Sequence, residues 1–221
     1  LFFVSKIFSM TAFFQKHRKQ WASASFVKSV SEGAFLVAGS IIVNHFASAY
    51  ADIWTSNAVT DMILDNVPVV DVDGLLGIGA LLLGLFLTAL CLFEPRRIPF
   101  VLKSAALFIL IRSGFIVLTH LGPLPDKTPL NDGVLFARLL SGNDLFFSGH
   151  TGLPFLMALV FWDRKYARAI LLAVSFIFAA AVLLGHLHYS IDVFSAFFTT
   201  YSIFHAAQFF FRKDWESCCE I

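Results

Sequence analysis

Between Val30 and Phe211 the chain repeats one pattern: apolar runs of about 20 residues, the length that crosses a bilayer core, separated by polar breaks. Such runs leave little choice of structure, because backbone N–H and C=O groups in hydrocarbon must be satisfied within the segment itself. The runs fall at Val30–Tyr50, Leu75–Phe93, Pro99–His120, Ser148–Trp162, Ala169–Gly185 and His188–Phe211. The fourth reaches across only with the preceding Leu145-Phe146-Phe147, since about a dozen residues separate His150 from Asp163. The expected fold is all-α, a polytopic membrane protein with a six-transmembrane-helix bundle. Composition agrees, with 58% hydrophobic and 14% charged residues and a mean hydropathy of +0.78, where soluble domains carry about a quarter charged residues. A net charge of +1 then makes no case for nucleic acid.

Placing the charges orients the bundle. Along a six-helix path that starts inside, all of the 16 Lys and Arg residues except Arg112, Lys127 and Arg138 fall on the cytoplasmic side. That bias predicts two cytoplasmic termini. Residues 1–27 hold a short apolar run broken by Lys6, then Lys16, Arg18, Lys19 and Trp21. A secretory signal places its charges first, so this reads as a basic interfacial segment rather than a cleaved signal, with residues 28–221 as the membrane domain. Leu1 is not Met, so the start lies upstream or is unusual. Cys91 lies in an apolar run and Cys218-Cys219 in the tail, which gives no disulfide framework and predicts two reduced cytosolic thiols at the end. The connection from Ala51 to Gly74 carries Asp52, Asp61, Asp65, Asp71 and Asp73 without Lys or Arg, as a solvated non-cytoplasmic loop would.

Within so apolar a chain, ionisable residues at helix starts and inside helices are costly and mark function. Ser148-Gly149-His150-Thr151 opens the fourth run and His188-Tyr189-Ser190-Ile191-Asp192 the sixth. The topology brings both to the non-cytoplasmic face, with Arg112 in the outer half of the third helix at a comparable depth. On a helix, Asp192 shares a face with His188 one turn away. A carboxylate so placed fixes the imidazole tautomer and raises the nucleophilicity of the far ring nitrogen. His150 supplies a second imidazole to protonate a leaving group and later deprotonate an incoming hydroxyl. Arg112 offers a planar fork for phosphate oxygens, and Ser148 with the Gly149 backbone adds neutral donors. These parts make a phosphoryl-transfer site with a phosphohistidine intermediate.

The pairing of Ser148-Gly149-His150 with His188-x-x-x-Asp192 resembles the second and third signature motifs of the type 2 phosphatidic acid phosphatase (PAP2) superfamily. It is similar above all to the sphingomyelin synthase branch, where an Asp stands a few residues before Ser-Gly-His-Thr, as Asp144 does, and His-Tyr-Thr/Ser-x-Asp-Val opens the last span. Arg96-Arg97, Arg112 and Leu124-Pro125 extend the likeness, which covers about residues 94 to 205. The resemblance implies a six-helix bundle with a non-cytoplasmic site, His188 as nucleophile oriented by Asp192, and His150 as acid and then base. It implies transfer of a phospho-head-group from a phospholipid donor to a lipid alcohol such as ceramide, without metal or other cofactor. The superfamily's Lys-x6-Arg-Pro motif is absent, Lys103 and Arg112 being nine apart, and no Arg precedes His188. Fewer positive charges suit a singly charged diester better than a dianionic monoester. Gly142 stands where the branch has Cys, and Val67-Pro68-Val-Val-Asp71 matches its Pro-rich first motif loosely.

Other readings compete. Asp144 either steers a head-group amine or caps the fourth helix. His45, His120, His186 and His205 read as interfacial caps rather than catalysts, and Tyr189 and Tyr201 as packing residues. Water in place of the alcohol gives a lipid phosphatase or phospholipase C-like hydrolase. His150, His188 and Asp192 are also a conceivable ligand set for a divalent ion, and a membrane scaffold or transporter is the non-catalytic alternative.

Overall fold

The computed structural model describes residues 13–124 and 146–219. Every regular element among them is a helix. A short helix over residues 13–21 (α1) precedes α2 (Ala24–Ile53), α3 (Asp73–Phe93) and α4 (Ile98–Leu118); α5 (Gly149–Val160), α6 (Lys165–Leu184), α7 (Ser190–Phe210) and α8 (Arg212–Cys219) follow. Four of them, α2, α3, α4 with its lead-in from Pro95, and α6, are long and apolar enough to cross a membrane. The chain is thus an integral membrane protein. By length and composition α5, with 12 residues, is a shorter apolar helix, and α7, with 21, falls outside the four.

The core lies where α4, α5, α6 and α7 meet, around Phe100, Leu156, Met157, Phe161, Leu171, Val182 and Ala196. Helix α2 packs along α4, while α3 lies against α6 and keeps much of its Leu-rich surface outward, as a lipid-facing helix should. Glycine permits one close crossing: a Cβ on Gly152 would stand 2.7 Å from the Phe108 ring and 2.8 Å from Thr200 Oγ1, so α5 sits directly on α4 and α7.

Several elements depart from the sequence expectation. The first membrane helix starts at Ala24, so it takes in the last residues of the 1–27 segment. Helix α1 docks on the end of α3, with Lys16 Nζ donating to the Phe93 carbonyl at 2.8 Å and the His17 ring to Leu92 at 2.6 Å. Those carbonyls have no intrahelical partner, and a cation suits them. The chain after Phe211 forms a further helix, α8, whose polar sequence reads as a tail. It ends on a Cys218–Cys219 disulfide in place of two free thiols.

Two buried cations tie down the end of the bundle that holds α8. Arg97 donates to the Val160 carbonyl at 2.6 Å and to Asp163 at 2.7 Å, its guanidinium lying over the Phe161 ring. Lys103 donates to Ser29 at 2.8 Å, Asp214 at 2.8 Å and Glu32 at 3.0 Å, joining α2, α4 and α8.

Candidate active site

At the other end of the bundle, α5 and α7 begin side by side. Ser148 is the N-cap of α5, its backbone extended and its Oγ accepting from the Thr151 N–H at 3.4 Å. Its own N–H donates to the Asp192 carbonyl at 3.2 Å, which fastens the Ser-Gly-His segment to the first turn of α7. Pro154 has no N–H to give the His150 carbonyl, so one rung of the α5 ladder is missing near its start.

His188 is not on α7. Tyr189 is the N-cap and Ser190 the first helical residue, so the same-face spacing expected of His188 and Asp192 does not apply. Asp192 instead occupies the third helical position and reaches back, accepting the Tyr189 N–H on Oδ2 at 3.0 Å, the move of an acidic residue in a capping box. The same Oδ2 stands 3.6 Å from His188 Nδ1. The carboxylate is fully buried, and its Oδ1 has no hydrogen-bond partner among the described residues. A buried carboxylate beside an imidazole can fix the Nδ1–H tautomer of that ring.

Arg112, 5% exposed, reaches this junction from α4 and donates through Nε to the Phe147 carbonyl at 3.0 Å. A Cβ built on Gly149 would stand 3.4 Å from that Nε, so the bare glycine lets the guanidinium lie against the start of α5. His150, half-buried, stands edge-on to Phe178 at 6.0 Å between ring centres. It lines a small apolar crevice of about 30 Å³ with Ala80, Gly84 and Leu153.

Arg112, Ser148, Gly149, His188 and Asp192 are therefore linked by contacts, and His150 stands one residue from Gly149. Asp144 and Gly142 lie outside the described residues. Among the described residues no three His, Cys, Asp or Glu side chains are grouped to hold a metal ion. Lys103 takes no part, since its ammonium is held by the ion pairs at the opposite end of α4.

Two residues behave differently from their sequence reading. His186 is buried rather than interfacial, with φ at 51°, and its Nε2 pairs with the Val67 carbonyl at 3.1 Å. It takes the left-handed position of a Schellman end to α6, with Leu187 N–H on the Val182 carbonyl and His186 N–H on Leu183. Glycine usually fills that position, but Gly185 is used one residue earlier, where a Cβ would come within 2.4 Å of Val72. Asp61 is buried too, and nothing in a run of five aspartates singles it out. Its Oδ2 accepts the Ser190 N–H at 2.7 Å, and its Oδ1 accepts Ile63 and Leu64 at 2.9 and 3.2 Å.

An integral membrane bundle thus carries a buried His–Asp pair, a buried arginine and a second histidine toward one end, residue types that phosphoryl chemistry can use. Residues 141–209, which carry both histidine motifs, match the family model described as PAP2 superfamily, C-terminal. That match supports the PAP2 superfamily and is compatible with lipid phosphatase or phosphotransferase activity. No curated protein matches the chain.

Proposed function

We propose that the protein is a lipid phosphotransferase of the sphingomyelin synthase type, moving phosphocholine or phosphoethanolamine from a glycerophospholipid to a lipid alcohol such as ceramide. The observation that carries this reading is the junction of the two histidine motifs through Ser148 N–H and the Asp192 carbonyl, beside buried Arg112. His188 Nε2 attacks phosphorus while the bond from phosphorus to the diacylglycerol oxygen breaks, and His150 gives that oxygen its proton. The resulting phosphohistidine is positively charged at the ring, and Asp192 offsets that charge through Nδ1–H. His150, now neutral, takes the proton of the lipid alcohol, whose oxygen displaces the histidine nitrogen from phosphorus. Arg112 and the neutral donors of Ser148 and Gly149 hold the equatorial oxygens.

The preference for a diester donor rests on charge. Among the described residues Arg112 is the cation that contacts the start of α5, Lys103 is committed elsewhere, and one guanidinium matches a singly charged diester. In this reading the membrane is crossed six times, with α5 as the short fourth span and α7 as the last, and the site opens on the non-cytoplasmic side. Asp144, before α5 in the sequence, is the candidate residue for the choline or ethanolamine group.

Reconstitution with fluorescent ceramide and diacylglycerol plus labelled phosphatidylcholine or phosphatidylethanolamine tests the reading. The expected product is a labelled phospho-head-group on the ceramide. Free phosphate or phosphocholine without a lipid product makes the protein a hydrolase, and no product from any donor removes the catalytic reading.

A further inference from the structure

The segment between α2 and α3 is attached to both sides of His188. On one side the Val70 N–H donates to the Leu184 carbonyl at 2.8 Å and the His186 ring pairs with Val67. On the other, Tyr189 Oη accepts the Val59 N–H at 3.1 Å and donates to the Gly122 carbonyl at 2.8 Å. Leu64 packs with Tyr189 and Leu124 beneath these bonds. The one charged group in this set is Asp61, 7% exposed, whose three accepted backbone bonds run to its own loop and to the first helical residue of α7. A carboxylate at a helix N-terminus takes up an orphan N–H and meets the positive end of the helix dipole.

We propose that Asp61 is a positioning residue for the His188–Asp192 pair, clamping the start of α7 so that the imidazole stays in register with the carboxylate four residues on. The proposal rests on the phosphohistidine reading above. Ser190 lies between His188 and Asp192, so any movement of its N–H alters the 3.6 Å separation of the pair. Burial pushes the Asp61 carboxyl upward, but the bonds from Ser190, Leu64 and Ile63 outweigh it and hold its pKa below the ordinary aspartate value, as expected of a carboxylate that is ionised while clamped. The sequence names no role for Asp61, because its partner is a backbone group 129 positions away.

The test compares Asp61→Asn and Asp61→Ala with Asp65→Ala, an exposed carboxylate on the same loop, in the full chain reconstituted with phosphatidylcholine and ceramide. Asparagine keeps a neutral acceptor for Ser190, so it preserves the fold if alanine does not. Expected are a fall in kcat of up to about 10²-fold per folded molecule with KM for both lipids unchanged, and slower single-turnover formation of phosphohistidine. Asp65→Ala stays at the wild-type rate. Hydrogen exchange over residues 188–193 should rise in Asp61→Asn and not in Asp65→Ala. Wild-type kcat in Asp61→Asn, or a fall explained entirely by loss of folded protein, overturns the proposal. If the wild type itself forms neither product nor phosphohistidine, the functional reading fails and the catalytic role of Asp61 fails with it. That outcome is distinct from an active wild type whose Asp61 variants are equally active.

Discussion

The N–H of Ser148 donates to the carbonyl of Asp192, and this single backbone bond of 3.2 Å joins the two histidine-bearing helix starts. Because it uses main-chain atoms, it survives side-chain substitution at either residue. Variants of the site should therefore report chemistry rather than a displaced helix.

His188→Ala should abolish phosphohistidine formation and reduce turnover to background. Asp192→Asn should lower kcat by about 10²- to 10⁴-fold, since it both weakens support for the charged ring and permits the wrong tautomer. Substrate affinity should change little in either. Acid-quenched trapping of a labelled phosphohistidine from a labelled donor, with steady-state rates alongside, checks both.

Arg112→Lys should behave as a loss rather than a conservative change. The guanidinium sets Nε on the Phe147 carbonyl, and its planar array of donors is a geometry that an ammonium cannot reproduce. We expect kcat/KM to fall by about 10- to 100-fold, equivalent to the roughly 1.5–3 kcal/mol of a charge-assisted hydrogen bond. Kinetics on a diester lipid, and the comparison with a monoester such as phosphatidic acid, measure it.

Gly152→Ala should destabilise the bundle by about 1–3 kcal/mol. The added methyl meets the Phe108 ring and Thr200 Oγ1 at distances no real Cβ adopts. Gly149→Ala, whose Cβ would sit 3.4 Å from Arg112 Nε, should leave stability nearly unchanged and disturb the arginine instead. Thermal unfolding in detergent separates the two, with activity per folded molecule falling only in the second.

What the sequence made legible follows from the range of the interactions involved. Hydropathy located the four helices that are long and apolar enough to cross a membrane, because burial in hydrocarbon depends on composition over about 20 residues. The histidine motifs stood out because charge is rare in such runs. The capping geometry of Asp192 was not legible, since a spacing of four reads as one helical turn whether or not the helix has begun. Lys103 stands nine residues before Arg112, outside the spacing of the superfamily motif, and only its neighbours in space, Glu32 and Asp214, show what it does instead. Asp61 and α8 were missed for a related reason. Each is polar sequence ordered by a distant partner, Ser190 in one case and Lys103 with Ser29 in the other.

Lys103→Ala should lower stability by roughly 3 kcal/mol, because it leaves Asp214, mostly buried, with Ser29 as its remaining bond in this cluster. Activity per folded molecule should not change, as the cluster lies at the opposite end of α4 from Arg112. Double mutation of Lys103 to Met and Asp214 to Leu should recover much of the loss, which a chemical denaturation series in mixed micelles measures. A drop in turnover at full folding would instead make Lys103 part of the phosphate site.

The clamp at Asp61 carries its own pH signature. Its carboxyl is held below the ordinary aspartate value of about 3.9 by the Ser190, Leu64 and Ile63 N–H groups, against the upward push of burial. A depressed carboxyl stabilises the folded state fully above its unfolded value, and that contribution is lost as pH falls through the lower folded value. Wild type should therefore exceed Asp61→Asn in Tm by a constant margin from pH 8 down to about 5. The margin should shrink below about pH 4 and close once the folded carboxyl is protonated, because a protonated aspartate offers little more than the amide does. Parallel thermal scans across that range check the sign directly: a margin that widens toward acid would mean that the carboxyl is neutral when it meets Ser190.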